Sequence, residues 1–249
     1  NENFLFAMGY SLEEIRGKHH RMFVESSEAD SSSYREFWHK LNRGEFHRGE
    51  FKRIGKGGKE VWIQASYNPI LDEKGKPFKV VKYATDVTAQ KTIFADYSGQ
   101  IAAILKSQAV IEFDLDGNIL TANDNFLQTL GYSLQEIKGK HHRIFVDEKE
   151  RASPEYREFW ARLRQGEYQA GEYKRIGKSG NEVWIQASYN PIMDLNGKPW
   201  KVVKYASDVT EQTRMKNVLK DTMDAVSQTA HALSSASEEL TATSTQMTG

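Results

Sequence analysis

Between Val110 and Leu115 (VIEFDL) apolar and polar residues alternate, Asp116-Gly117-Asn118 reverses the chain, and Ile119–Ala122 resumes, which predicts a β-hairpin. Asn123-Asp124-Asn125 then caps a short helix, Phe126–Leu130, that stops at Gly131. Ser133 and Glu136 have capping-box spacing for a second short helix ending at Ile137. After His141–Val146 the period changes. Tyr156, Phe159, Trp160 and Leu163 fall at i, i+3, i+4 and i+7, one apolar stripe on a helix over 153–165. Three strands follow, 167–177, 181–192 and 200–209, turning at Lys178-Ser179-Gly180 and 194–199. Antiparallel strands with segregated helices make an α+β domain with a five-stranded sheet and short helices on one face.

The pattern occurs twice. Residues 44–70 return at 166–192, and the ten residues Val61–Ile70 are identical to Val183–Ile192. Laying 1–90 on 123–212 needs no gap and leaves 60 of the 90 positions identical, so both copies share one fold. Asn1 is the counterpart of Asn123, and the first copy lacks counterparts of the two strands in 110–122. An upstream segment, an element swapped in from a partner, or a poorly closed first domain is expected there.

Residues 88–107 place Ile93, Tyr97, Ile101 and Ile104 near helical spacing and predict a connecting helix. After the second copy, Met215, Leu219, Thr222, Val226, Thr229, Leu233, Ala236, Leu240, Thr243 and Met247 alternate spacings of four and three. That is a heptad seam for a coiled coil, its small and Thr positions implying a weak one. One amphipathic helix packed on its own domain is the alternative reading. The expected layout is a first domain at 1–88, a connector at 89–109, a second domain at 110–210 and a seam helix at 211–249.

Composition narrows the chemistry. Of 249 residues, 39% are hydrophobic and 27% charged, as in a globular protein. Lys+Arg and Asp+Glu both number 34, so no basic field favours nucleic acid. The absence of cysteine removes disulfides, thiolate nucleophiles and Cys-based metal or covalent haem sites, and fits a reducing cytoplasm. No apolar run approaches the roughly 20 residues that span a bilayer. Gly177-Lys178-Ser179 suggests a phosphate loop, but Gly171 lies one residue too distant and the first copy reads Gly55-Lys56-Gly57, so a hairpin turn is expected. No catalytic triad, nucleophile elbow or HExxH pattern occurs, and the protein is expected not to be an enzyme. The segment Ser237–Leu240 reads as helix surface.

The sequences GYSLEEIRGKHHRMFV, YREFWHKLNRGE, WIQASYNPI and KVVKYATDVT resemble a PAS domain. In tandem they resemble the PAS pairs of soluble methyl-accepting chemotaxis proteins, in particular the biofilm-dispersion receptor family. The resemblance covers nearly the whole chain, with the tail leading toward a chemoreceptor signalling helix. It implies a cytoplasmic sensor that pairs as a homodimer and reaches a chemotaxis adaptor and kinase through a signalling domain outside this chain. Asp86-Val87-Thr88 and Asp208-Val209-Thr210 resemble the exit motif by which PAS domains pass strain to the following helix.

Candidate cofactor residues are His20, Arg21, Trp38 and Asn3 in the first copy and His142, Arg143, Trp160 and Asn125 in the second. FAD is the first expectation, with His20 and His142 as axial ligands if the group is haem b, and an empty or small-molecule pocket as the third reading. The flavin-binding aerotaxis receptor family shares the layout, with His and Trp at the positions of His20 and Trp38. It carries an Arg-His pair where this chain has Val24-Glu25 and Val146-Asp147, a departure from that pattern. The structural alternative for the histidines is a core imidazole bonded to a backbone carbonyl, with the arginine on the surface. By alternation Val61, Ile63, Ala65 and Tyr67 face the interior. Trp62, Gln64, Ser66 and Asn68 face outward, as do Trp184 and its neighbours, on a packing surface for signal output with Asp86 and Asp208. The alternative function is a closed PAS pair serving as a dimerisation and interaction platform without cofactor.

Overall fold

The computed structural model describes the backbone of residues 1–247 and side chains as far as Ser234. The chain divides into two compact units, Asn1–Ile101 and Ala102–Gly249. Unit 1 contains α1 (Glu2–Met8), α2 (Leu12–Ile15), α3 (Ser26–Ala29), α4 (Ser32–Asn42), β1 (His47–Ile54), β2 (Glu60–Leu71), β3 (Pro77–Asp86) and the start of α5 (Thr88–Ser107). Unit 2 contains β4 (Ala109–Phe113), β5 (Ile119–Ala122), α6 (Asp124–Leu130), α7 (Leu134–Ile137), α8 (Glu148–Ala152), α9 (Pro154–Arg164), β6 (Gln169–Ile176), β7 (Glu182–Met193), β8 (Pro199–Asp208) and α10 (Thr210–Met247).

Local chemistry sets the boundaries. Asn1 and Asn123 cap α1 and α6 through their side chains, and Ser11 and Ser133 form capping boxes with Glu14 and Glu136. Ser153 caps α9 and Pro154 occupies its first turn, where a missing N–H costs nothing. The connecting helix spans the residues that the sequence predicts. The short α3 and α8 do not follow from the periodicity, because four or five residues carry too little of it.

Unit 2 has a fully antiparallel five-stranded sheet, ordered β5-β4-β8-β7-β6. Unit 1 has three strands, β1-β2-β3. The β3 edge therefore lacks the strand that β4 supplies to β8, as expected from the absent counterpart of 110–122. The register of the shared strands is otherwise the same: Tyr67 faces Lys82 and Tyr189 faces Lys204.

Each core lies between the sheet and its helices. In unit 2, Ile111 and Phe113 from β4, Val183, Ile185, Ala187 and Tyr189 from β7, and Val202 and Ala206 from β8 meet Phe126, Leu130, Ile137, Phe145, Trp160 and Leu163. In unit 1, Val61, Ile63, Ala65 and Tyr67 are buried as alternation predicts, against Met8, Phe23, Phe37 and Leu41. α10 carries its apolar positions in the open: Met215, Leu219, Val226 and Leu233 are exposed. The seam side chains Ala236, Leu240, Thr243 and Met247, and the segment Ser237–Leu240, lie outside the described side chains.

Candidate functional site

The two histidines of each pair do different work. His141 Nδ1 accepts from the Arg143 N–H at 3.0 Å and caps the single 3-10 turn His142–Phe145, as His19 does for Arg21 at 3.2 Å. That cap turns the next imidazole inward. His142 has no exposed surface, and its Nδ1 lies 2.9 Å from the Tyr156 hydroxyl while Nε2 lies 3.0 Å from the Tyr189 hydroxyl. His20 repeats this with Tyr34 at 3.0 Å and Tyr67 at 3.2 Å. The partners are tyrosine hydroxyls rather than a backbone carbonyl.

A buried arginine closes the network. Arg175 Nη2 donates to the Tyr189 hydroxyl at 3.3 Å, and Arg53 to Tyr67 at 3.4 Å. Arg175 and Arg53 are almost wholly buried and pair with Glu150 and Glu28 at 3.3 and 3.5 Å. Because a guanidinium only donates, Tyr189 is free to give its own proton to His142 Nε2. The Nδ1–H of His142 then donates to Tyr156. The opposite tautomer would strand the hydroxyl hydrogen of Tyr189, which is fully buried, whereas Tyr156 keeps 8% of its surface. The direction Arg175 → Tyr189 → His142 → Tyr156 follows.

Burial, then Arg175 and Lys204, hold the His142 imidazole well below its usual range, and His20 is pulled down to about 3 by burial, Arg53 and Lys82. Burial pushes the Tyr156 phenol up to about 12 and raises that of Tyr189 as well. The network is neutral at its centre and cationic at one end.

Lys204 sits beside it. Directly across the ladder from Tyr189, it has no exposed surface, and Nζ stands 5.0 Å from the centroid of the Tyr189 ring and 5.5 Å from that of Phe126. Lys82 stands likewise over Tyr67 and Phe4 at 5.3 and 5.2 Å.

The sequence candidates divide accordingly. Trp160 and His142 come together, ring centroids 5.5 Å apart, and Trp38 and His20 at 5.6 Å. Gly117 makes this fit possible: at φ 83° a Cβ there would lie 2.9 Å from His141 Nε2 and 3.0 Å from the Trp160 ring. Arg21 and Arg143 are exposed and outside the interior, and the arginines inside are Arg53 and Arg175. Asn125 is bound away from His142, its amide donating to the carbonyls of Leu105, Lys106 and Gln108 at 3.0 to 3.3 Å. Asn3 is exposed and lines a groove of about 740 Å³ beside β3, with Phe4, Met8, Ile63 and Lys82. The buried Arg53, Arg175 and Lys204 were not among the residues singled out from the sequence. Alternation could have found them, since Arg175 shares a face with Tyr173, and Lys204 with Val202 and Ala206.

The proposed output residues meet at one junction per unit. The Trp184 N–H donates to Thr210 Oγ1 at 2.9 Å, the Val209 N–H donates to the Trp184 carbonyl at 2.8 Å, and Asp208 Oδ1 accepts from the Thr210 N–H at 2.8 Å. Trp62, Asp86, Val87 and Thr88 repeat all three bonds. Lys91 Nζ also lies 4.8 Å from the Trp62 ring centroid. Among the described residues no His, Asp and Glu group is placed to hold a metal, and no helix is long and apolar enough to cross a membrane.

The comparisons with known proteins agree with this architecture. BdlA, the biofilm dispersion protein of Pseudomonas aeruginosa, is 46% identical over 214 residues, 86% of this chain and 51% of that protein. The aerotaxis receptor of Escherichia coli is 32% identical over 100 residues, 40% of this chain and 19% of the receptor. A solved PAS domain from Colwellia psychrerythraea is similar at 21% identity with a TM-score of 0.41, covering 46% of this chain and 98% of that one. The chain thus spans about half the length of BdlA. Residues 1–84 and 119–206 each match the PAS fold, and the chain belongs to that family.

Proposed function

We propose that the chain is a cytoplasmic sensory module, not an enzyme, in which the state of each PAS interior sets the start of the helix that leaves it. The observation that carries this reading is a property of β7. Its inward residue Tyr189 is bonded to His142 and Arg175, and its backbone at Trp184 is bonded to the first residue of α10. A change that moves Tyr189 strains the strand that holds Thr210. The bias needed between two helix states is only a few kcal/mol. α10 would pass it to a second copy through its exposed apolar positions, and onward to a chemotaxis adaptor and kinase. The similarity to BdlA and to an aerotaxis receptor supports this class of output.

FAD and haem fit this interior poorly. Both nitrogens of His142 are held by hydroxyls, so axial ligation would break one of those bonds in a fully buried site. Arg143 and Asn125, the other residues expected around a flavin, do not face His142. A smaller stimulus acting on the existing network is the better match. The rival reading, a closed interaction platform, draws on the same filled core.

Hydrogen exchange on the full chain tests the coupling. Tyr189→Phe should speed exchange at Trp184, Val209 and the first turn of α10. Unchanged protection there, with the domain still folded, would sink the reading.

A further inference from the structure

The exits of the two units share a backbone and differ in one side chain that crosses the outer face of the sheet. The Lys91 N–H in the first turn of α5 donates to the Val87 carbonyl at 2.9 Å, and Thr213 holds the same place in α10, donating to Val209 at 2.8 Å. Beyond the backbone the two positions part. Lys91 Nζ lies 4.8 Å from the centroid of the Trp62 ring on β2 and 2.6 Å from Glu50 Oε2 on β1. One side chain thus ties the helix to two strands, on the β1 side of β2 and away from the open β3 edge. Val87 at this exit is buried, whereas Val209 is only half-buried.

Unit 2 keeps the receiving groups without the lysine. Glu172 faces Gln186 and Lys174 faces Trp184 across the ladder, as Glu50 faces Gln64 and Lys52 faces Trp62. Thr213 is too short to cross them and carries no charge. The neighbouring cations are engaged elsewhere: Lys174 with Asp147 and Glu182, and Arg214 with Glu211 in its own helix.

We infer that Lys91 is a positioning residue that latches the start of α5 to its sheet, and that α10, with Thr213 in its place, begins unlatched. The inference deepens the sensory reading and takes its functional meaning from it. Equal strain in β2 and β7 then displaces the exit of unit 2 further than that of unit 1, so α10 is the responsive helix and α5 the stiffer connector. Lys91 and Glu50 are 39% and 50% exposed, so neither contact is strong. Together they should make opening of the first turn about fivefold rarer.

Amide exchange on the full chain tests the latch, read as protection at 91–94 in α5 and 213–216 in α10. Lys91→Met keeps the helix propensity and removes the charge, and should lower protection at 91–94 about fivefold. Lys91→Arg, which can both pair with Glu50 and stack on Trp62, should retain it. Thr213→Lys should raise protection at 213–216 by a similar factor, because Glu172 and Trp184 are in place to receive it. Thr213→Met, a comparable helix former without charge, should raise it less. Unchanged protection in Lys91→Met overturns the inference, as does an equal loss in Lys91→Arg or an equal gain in Thr213→Lys and Thr213→Met. None of these results touches the coupling of Tyr189 to α10, which the Tyr189→Phe variant tests separately.

Discussion

Tyr189 and His142, 47 positions apart in sequence, share a 3.0 Å hydrogen bond in a part of unit 2 that has no exposed surface. Tyr189→Phe removes that bond and the one from Arg175 while keeping the ring. Two buried partners then lack an acceptor or donor, at about 1–3 kcal/mol each. Urea unfolding should show a loss of that order in total. Tyr67→Phe, whose bonds to His20 and Arg53 are 3.2 and 3.4 Å long at a half-buried imidazole, should lose less.

The same imidazole makes stability depend on pH. The folded state holds His142 far below the 6.5 of a free histidine, so below that value the unfolded chain binds a proton that the folded chain does not. The contribution of His142 is therefore complete above pH 6.5 and falls as pH drops through it, with a slope of up to about 1.4 kcal/mol per unit for one site. Lys204, held well below the usual lysine range by burial and Arg175, adds in the same direction. Denaturation between pH 7 and 5.5 should show at least this slope, and His142→Gln should reduce it without abolishing it. His20, pulled down to about 3, adds in the same direction.

Strand alternation made the apolar layer legible: Val61, Ile63, Ala65 and Tyr67 are all buried, and Trp62 faces the other way. The PAS resemblance and the connecting helix were equally readable, because each is a local pattern. The polar network was not. His142 finds its two hydroxyls 14 and 47 residues away, on α9 and β7, and no local period encodes that meeting. Arginine next to histidine in sequence drew attention to Arg143, yet a single 3-10 turn sends neighbouring side chains in different directions. Arg175 and Lys204 could have been found as charged residues on an inward-facing parity, a signal that the assumption of surface charge masks.

Gly117 should tolerate no side chain. At φ 83° an L-residue pays a left-handed penalty of about 1–2 kcal/mol, and the added Cβ would press on His141 and the Trp160 ring at 2.9 and 3.0 Å. Gly117→Ala should therefore cost more than that penalty alone in chemical denaturation. It should also shift the fluorescence of Trp160. Gly180→Ala is the control, since it has a φ of 81° with nothing within 4 Å of the new carbon, and it should show the backbone penalty only.

Thr210→Val deletes the hydroxyl that accepts from the Trp184 N–H and keeps the shape of the side chain. The same hydroxyl donates to the Trp184 carbonyl at 3.4 Å, but that carbonyl retains the bond from Val209, so the strand stays paired while both ties of the hydroxyl are lost. The expected cost is about 1 kcal/mol. Amide exchange should quicken at Trp184 and in the first turn of α10, with the core strands unchanged.

Met215, Leu219, Val226 and Leu233 are each at least 62% exposed, on a 38-residue helix that begins at the exit motif. Water-facing side chains at alternating spacings of four and three are costly to leave uncovered, and a second α10 offers the matching surface. Val218 and Met223 are also exposed, at 61% and 64%, which widens the stripe beyond the strict seam. Thr222 and Thr229 interrupt it and bond back to the Val218 and Ala225 carbonyls, so each interrupting hydroxyl is satisfied within its own helix. The association should therefore be dimeric, concentration-dependent and weak. Light scattering over a dilution series should show the mass halving, and Leu219→Glu with Val226→Glu should give monomer at every concentration. If the double variant remains dimeric, the copies meet through another surface and α10 is not the route between them.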